Sequence, residues 1–116
     1  MTCWDQIVDS AQTFDGVTLS NSYGEPSLKV GKAFLARHRL ADNSIVLKSV
    51  DPNERDELIT RSPEVFFLED HYVGYDIVLA RLEQAELMQI MPFIERTWRC
   101  LAPKGSLNAY EQRSKN

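Results

Sequence analysis

Short links between alternating segments constrain the fold of this chain more than any other feature. From Leu28 to Leu47, apolar and polar residues alternate along successive segments, which are separated only by Gly31-Lys32 and Ala41-Asp42-Asn43. Such alternation is typical of strands with one buried face. Because links this short can join only antiparallel neighbours, the middle of the chain predicts an antiparallel meander.

The first of these links also predicts the register of a hairpin. Glycine at the first central position of Gly31-Lys32 suits a type II′ turn, whose twist matches that of the flanking strands. In that register Leu28 faces Leu35 on one side of the sheet, while Lys29 and Phe34 share the other side.

Three segments predict helices. Apolar residues recur at helical spacing in residues 3–14 and 87–101, and Asp51-Pro52 is a helix-start signal, with Asp as N-cap and Pro at the first helical position. Pro92 lies inside the last of these helices, where it removes a backbone hydrogen bond to Met88. We therefore expect a kink or a split between Met88 and Pro92.

Further strands complete the predicted order of elements. Strands are predicted at residues 17–20, 65–68 and 75–82, and the turn formers of residues 21–26 predict a loop. The resulting order is α-β-β-β-β-α-β-β-α. It predicts a two-layer α+β fold, in which helices cover one face of an antiparallel sheet of about five to six strands.

The length and the composition are typical of a single globular domain. With 116 residues there is room for one core, predicted for residues 1–105 and followed by a polar tail at 106–116. Asp5 and Asp9 interrupt the apolar stretch near the N-terminus, unlike in a signal peptide, and no run approaches the ~20 apolar residues that span a bilayer. We therefore expect a cytoplasmic protein without a membrane partner, in which Cys3 and Cys100 are reduced thiols.

The chain resembles the MmcQ/YjbR family of small bacterial α+β proteins over about residues 3–103. The resemblance is carried by Tyr23-Gly24-x-Pro26, the hairpin Leu28–Arg37, Asp51-Pro52, Pro63–Phe67, His71-Tyr72-x-Gly74-Tyr75, Val78-Leu79-x-Arg81-Leu82, and Trp98-Arg99 with Ala102-Pro103. It implies a fold like that of secretion chaperones, and it implies the family's predicted DNA-binding activity through a double-wing motif. Two positions depart from the family pattern, since Pro92 stands where the family usually lacks proline and Glu86 is a poorer helix cap than Asp.

The predicted hairpin is basic. It carries Lys29, Lys32, Arg37 and Arg39, and no acidic residue stands between Glu25 and Asp42. A β-ribbon can enter the major groove of DNA, where such cations would contact phosphates. With strict alternation, however, the arginines point to the opposite face from Lys29 and His38, which splits the charge over two surfaces. Cations that deter pairing at a solvated sheet edge are the alternative interpretation.

The aromatic loop at residues 69–75 is a second candidate site. Its side chains His71, Tyr72 and Tyr75, together with Phe66 and Phe67, could line a small pocket. Histidine titrates near neutrality, and adjacent acids favour its charged form. The alternative is a structural role, in which His71 caps backbone groups or pairs with a carboxylate.

The sequence gives little sign of catalysis. Asp70 and His71 are adjacent, so their side chains diverge and cannot form a base with its orienting acid. Residues 29–32 lack the spacing of a phosphate-binding loop, and the histidines and cysteines show no metal-ligand spacing. We therefore expect a non-enzymatic protein without cofactor or metal.

The two functions that remain are different kinds of binding. The first is DNA binding, with the four hairpin cations as phosphate contacts and with His71 and Tyr72 as further contacts from the loop. The alternative is a protein- or peptide-binding module without a nucleic-acid role. The net charge of −4 favours the alternative, as does the resemblance to secretion chaperones, which clasp segments of their partners. The oligomeric state and the partner stay open at this point.

Overall fold

The computed structural model describes residues 1–22, 24–102, 105 and 107, with Ser22 described by its backbone alone. The helices are α1 (Trp4–Ala11), α2 (Pro52–Arg61) and α3 (Leu87–Leu101). The strands are β1 (Val17–Ser22), β2 (Glu25–Val30), β3 (Ala33–Arg39), β4 (Ser44–Lys48), β5 (Phe66–Phe67) and β6 (Ile77–Arg81), and a 3₁₀ turn spans Asp70–Tyr72. This order confirms the predicted α-β-β-β-β-α-β-β-α.

The predicted tail and two of the motif residues fall largely outside the described part of the chain. Tyr23 and Pro103 lie outside it, and so does the predicted tail at 106–116 except for Leu107. Leu107 is half-buried against the core. Apolar contact with the domain therefore reaches beyond the predicted boundary at residue 105.

The strands form one antiparallel sheet of six strands in the order β1-β2-β3-β4-β6-β5. The first four strands follow each other as a meander, as the short links require. The chain then leaves the sheet through α2 and returns at the edge as β5, and β6 inserts between β5 and β4. The prediction of an α+β fold with an antiparallel sheet is confirmed.

Helices α1 and α3 cover one face of the sheet. Directly paired residues of adjacent strands share a face, and the pairs that join Ala36, Leu47 and Val78 lie in the buried core. Trp98 of α3 is fully buried there, where it stacks on Phe14 and donates from its indole nitrogen to a backbone carbonyl over 2.9 Å. Trp4 of α1 is buried as well, so both tryptophans are packing residues.

The opposite face of the sheet carries the next set of paired residues. It includes Arg37 of β3, Val46 of β4 and Leu79 of β6, which pair in register across these strands. We call this side of the sheet the outer face. The 3₁₀ turn at Asp70–Tyr72 approaches it, since the side chain of Tyr72 contacts Arg37.

The hairpin of β2 and β3 has the predicted turn but not the predicted register. Gly31 has φ +60, as the first central residue of a type II′ turn requires, and Lys29 pairs with Phe34 as predicted. Beyond that pair a β-bulge shifts the register, so Leu28 pairs with Ala36 and not with Leu35. The extra residue lets both Leu35 and Ala36 join the core cluster, whereas strict alternation would point them to opposite faces.

Two of the sequence-predicted boundaries are wrong. Residues 21–26 were predicted as a loop, but β1 and β2 pair as far as Ser22 and Glu25, and only a tight turn through Gly24 (φ +81) joins them. Helix α1 ends at Ala11 and not at residue 14, because the chain tightens into turns there. Phe14 nevertheless stays buried against Trp98.

Helix α3 runs unbroken across Pro92, so the predicted split is wrong. The helix spans Leu87–Leu101, and Pro92 lies on its exposed side together with Met88, which is 85 % exposed. Water can hydrate a carbonyl that loses its helical donor on this side, which limits the penalty of the proline. The predicted weakness of Glu86 as a cap is offset by Gln89, whose side-chain oxygen accepts from the Glu86 backbone over 2.8 Å.

Candidate functional site

The β-bulge places three of the predicted cations on one face. Lys29 pairs with Phe34, and Arg37 lies on the same side of the sheet because the extra residue between Phe34 and Arg37 resets the alternation. Arg39 follows Arg37 on that side. The predicted split of the hairpin charge over two faces is therefore wrong for Lys29. It is right for His38, which stacks on Trp4 at the helix side with ring centroids 5.2 Å apart.

Other strands contribute further cations to the outer face. Lys48 pairs with Ile77, and Arg81 pairs with Ser44 and sits over the ring of Phe67 at 4.2 Å. Sequence reasoning missed both residues. Alternation along β4 predicts that Lys48 lies on the same side of the sheet as Val46. The pairing of β4 with β6, which brings Arg81 to that side, cannot be predicted from the sequence because the two strands are far apart in the chain.

Carboxylates neutralise the two arginines of β3. Arg39 donates to Glu69 over 2.8 Å and lies 3.2 Å from Asp42, and Arg37 lies 3.6 Å from Glu25. The hydrogen bond to Glu69 raises the pKa of Arg39, in opposition to burial, so this guanidinium stays charged at every pH near neutrality. Any phosphate at these arginines has to compete with the carboxylates.

The two hairpin lysines have different surroundings. The Lys29 ammonium lies over the ring of Phe34, 4.8 Å from its centroid, which is cation–π geometry. Lys32 is exposed at the tip of the turn, next to Gly31. Neither lysine is held in an ion pair among the described side chains, so both are more accessible to an anion than the arginines.

A pocket of about 200 Å³ lies on the outer face. Strands β3, β4 and β6 form its floor, and the 3₁₀ turn forms one wall. Its lining is mainly apolar and aromatic: Phe34, Ala36, Val46, Ile77 and Tyr72, with Arg37 and Lys48 as charged members. Arg37 donates to the Tyr72 hydroxyl, and this bond holds the wall against the sheet.

The predicted loop residues divide between the pocket and the solvent. Tyr72 lines the pocket, whereas His71 and Tyr75 do not. The His71 side chain is 67 % exposed, with Nδ1 3.8 Å from Glu69, and its ring is tilted against Tyr72. Tyr75 is 62 % exposed. Phe66 and Phe67, which were also predicted to line a pocket with this loop, are not among its lining residues either, so Tyr72 is the one predicted residue found there.

Helices α1 and α2 carry more acidic than basic residues, in contrast to the strands of the outer face. Helix α1 contains Asp5 and Asp9 and no lysine or arginine, and α2 contains Glu54, Asp56 and Glu57 against two arginines. The net charge of −4 is therefore unevenly distributed. Among the three helices, the acidic excess is confined to α1 and α2, since α3 carries Arg96 and Arg99 against Glu95. The basic residues of the strands lie on the outer face, where Glu25 and Glu69 pair with two of them.

Reactive and metal-binding groups do not converge on this pocket. Cys3 and Cys100 are exposed free thiols, as predicted, and both lie outside the pocket lining. Within the described part of the chain, no group of three or more histidine, cysteine or acidic residues is arranged to hold a metal ion. None of the described helices combines the length and the apolar character needed to cross a bilayer.

The chain is similar to uncharacterized mycobacterial proteins. One from Mycobacterium bovis is 26 % identical over an alignment that covers 95 % of this chain and 96 % of the relative. Two from strains of Mycobacterium tuberculosis have the same identity and coverage. No protein-family model matches the chain, and no solved structure matches it significantly.

Proposed function

We propose that the protein is a non-enzymatic DNA-binding protein of the MmcQ/YjbR type, whose outer face contacts phosphates. The observation that carries the proposal is the gathering of Lys29, Arg37, Arg39, Lys48 and Arg81 on one face, opposite the acidic helices. Three carboxylates pair with the two β3 arginines, so the five cations leave this face locally basic, and a locally basic face attracts a polyanion even when the whole molecule is acidic. We also propose a cytoplasmic location, in keeping with Cys3 and Cys100 as free thiols.

The ion pairs of the two β3 arginines set the expected strength of binding. A phosphate that approaches Arg37 or Arg39 replaces part of an existing interaction with Glu25, Glu69 or Asp42. The lysines gain a new interaction without such a loss. We therefore expect the lysines to dominate the contacts, and we expect affinity in the range of non-specific DNA binding, with Kd of roughly 10⁻⁴ to 10⁻⁶ M at physiological salt.

A salt titration with random-sequence duplex DNA tests the proposal. Phosphate contacts release counterions, so the logarithm of the affinity should fall linearly with the logarithm of the salt concentration, with a slope of about −0.9 per contact. The double variant Lys29→Gln with Lys32→Gln should bind more weakly, and its slope should be smaller in magnitude by about 2. Fluorescence anisotropy of a labelled duplex measures both quantities.

The matched control is Arg61→Gln, which removes one charge from α2. Arg61 is exposed and pairs with Glu57 on the same helix, and it belongs to none of the strands that form the outer face. This variant should keep the affinity and the slope of the unmodified protein. Absence of binding at low salt, or an equal loss in the control and the lysine variant, would contradict DNA binding through this face.

Peptide binding is the second candidate, and the pocket favours it. An apolar pocket lined by Phe34, Val46, Ile77 and Tyr72 can hold one apolar side chain of a partner, with Arg37 and Lys48 beside it. The carboxylates that pair with the arginines weaken the case for a polyanion. Affinity for an immobilised peptide library that barely changes with salt, combined with no affinity for DNA, would favour this function over the first.

A further inference from the structure

We infer that the nucleic acid bound by the outer face is single-stranded and that the pocket holds one unpaired base. The inference rests on the proposed function and names its substrate class. Its basis is the combination of aromatic rings, cations and a small apolar pocket on the same face of the sheet. Aromatic platforms beside a basic track are how proteins bind single strands without sequence preference, because every base has a π-face.

The size and the lining of the pocket fit one base. A volume of about 200 Å³ is below the roughly 300–1,000 Å³ of typical small-molecule sites, so the pocket has room for a single ring system. Phe34 and Tyr72 supply aromatic surface, and Val46 and Ile77 supply an aliphatic floor. A base in a duplex is stacked and paired, and it could enter only after unstacking, which costs free energy.

The polar groups at the pocket match the edge of a base. The Nε of Arg37 is buried and makes no hydrogen bond with any described residue, although it lies 3.6 Å from a carboxylate oxygen of Glu25. The Lys48 ammonium donates to the Phe34 carbonyl over 3.1 Å and has further donors. Bases offer carbonyl oxygens and ring nitrogens as acceptors, so an inserted base gives these donors partners that an aliphatic side chain cannot give.

A second aromatic residue extends the site across the sheet. Phe67 of β5 lies under the Arg81 guanidinium at 4.2 Å, on the same face as the pocket. Strands β4 and β6 lie between β3, which carries Phe34, and β5, which carries Phe67. At an inter-strand spacing of ~4.8 Å, these two phenylalanines are therefore at least about 14 Å apart across the sheet. A strand of several nucleotides is needed to reach both, as in known single-strand sites of about 4–16 nucleotides.

Three probes of equal length test the inference on the unmodified protein. They are a thymidine 15-mer, a 15-mer in which abasic residues replace all the thymidines, and the duplex of the same length. All three supply phosphates, but only the first supplies accessible bases. The thymidine 15-mer should bind about tenfold or more tightly than either of the others at equal salt, as base stacking predicts.

Variants assign the effect to the pocket. Phe34→Leu keeps an apolar side chain but removes the ring, and it should abolish most of the preference for the thymidine 15-mer over the abasic strand. Tyr75→Leu removes an exposed ring outside the pocket and is the matched control, which should keep the preference. Circular dichroism checks that both variants fold, and the comparison of probes on the unmodified protein needs no variant.

The outcomes separate this inference from the proposed function. Equal, salt-dependent affinity for the duplex, the abasic strand and the thymidine strand would overturn single-strand specificity while supporting phosphate binding by the outer face. No binding of any probe at low salt would overturn both. A preference that Phe34→Leu and Tyr75→Leu reduce equally would overturn the assignment of the base to the pocket.

Discussion

Arg55 has an unusual position for an arginine, because it is the most buried residue of α2, more so than Leu58 and Ile59, which are half-buried against the core. It is 4 % exposed, and its guanidinium donates to the Tyr75 carbonyl over 2.8 Å and to the Ile77 carbonyl over 3.2 Å. These bonds tie α2 to the chain that enters β6. Buried charged groups are retained when hydrogen bonds satisfy them, so Arg55 is a structural connection between two elements.

Replacing Arg55 should therefore destabilise the fold. We expect Arg55→Met to lower the free energy of unfolding by about 2–3 kcal/mol, because hydrogen bonds from a charged group are lost and two carbonyls lose their partners. Arg61→Met on the same helix is the control and should be nearly neutral, since Arg61 is exposed. Urea unfolding measures both. Equal stability of the two variants would show that the Arg55 bonds contribute little.

Single residues were predictable where their partners are close in sequence. The Asp51 cap accepts from the Glu54 backbone over 2.9 Å, as the Asp-Pro signal predicted, and Lys29 faces Phe34 as the turn required. The bonds of Arg55 join positions about twenty residues apart. No local pattern predicts such a contact.

At the scale of elements, α3 carries a proline that it tolerates. Pro92 stands within the unbroken helix, on its exposed side, while Ile90, Phe93 and Ile94 on the other side are buried. The packing of that buried side against the sheet outweighs the local penalty. Tertiary contacts thus override a strong local signal, which is why the sequence predicted a split.

Replacing this proline should stabilise the protein. Pro92→Ala restores a backbone donor to the carbonyl of Met88 and removes the ring clash, so we expect a gain of about 1–3 kcal/mol in the free energy of unfolding. The side chain is exposed, so no core packing is lost. Thermal unfolding followed by circular dichroism at 222 nm gives the comparison. A lower melting temperature would mean that the proline adjusts the path of α3 to fit the sheet.

The register of a hairpin was only partly predictable. The turn residues Gly31-Lys32 and the pairing next to them follow from local chemistry. The bulge further along does not, because it is selected by the burial of both Leu35 and Ala36 against helices that lie far away in sequence. That one shift changed the predicted distribution of charge, and with it the candidate site.

At the scale of the whole molecule, the charges separate between two sides. Acidic side chains of α1 and α2 lie on the helix side, and the cations of β2, β3, β4 and β6 lie on the outer face. Cations on the outer face attract a polyanion before contact, whereas acids on the helix side repel it. In the proposed binding of DNA, the helix acids would therefore slow association without any contact with the partner.

Neutralising the distant acids should have an effect that depends on salt. Asp5→Asn with Asp9→Asn removes two negative charges from α1 without touching the outer face. We expect a severalfold faster association with single-stranded DNA at 20 mM salt and little change at 500 mM salt, because the Debye length falls below ~5 Å at the higher concentration. Stopped-flow anisotropy measures these rates. An effect that persists at high salt would point to a change of the contacts themselves.

The sequence predicted the fold more fully than the site. The order of elements and the antiparallel pairing follow from short links and periodicity, which are local properties. The pocket requires β6 to insert between β4 and β5, and it requires the 3₁₀ turn to reach Arg37 across the sheet. Both depend on contacts between residues that are distant in sequence, which a single sequence does not reveal. The sequence therefore indicated Tyr72 as a candidate site residue but not its contact with Arg37.

The bulge in β3 makes the length of that strand as consequential as its composition. Successive side chains of a strand alternate between two sides, and the bulge adds one residue to that count. Deleting Leu35 would remove the bulge and keep Leu28 opposite Ala36, so Arg37 and Arg39 would stay on the outer face. A residue added between Ala36 and Arg37 would instead turn both arginines towards the helix side unless a second bulge absorbed it. Natural variation should therefore conserve residue number from Ala36 to Arg39 more strictly than residue type.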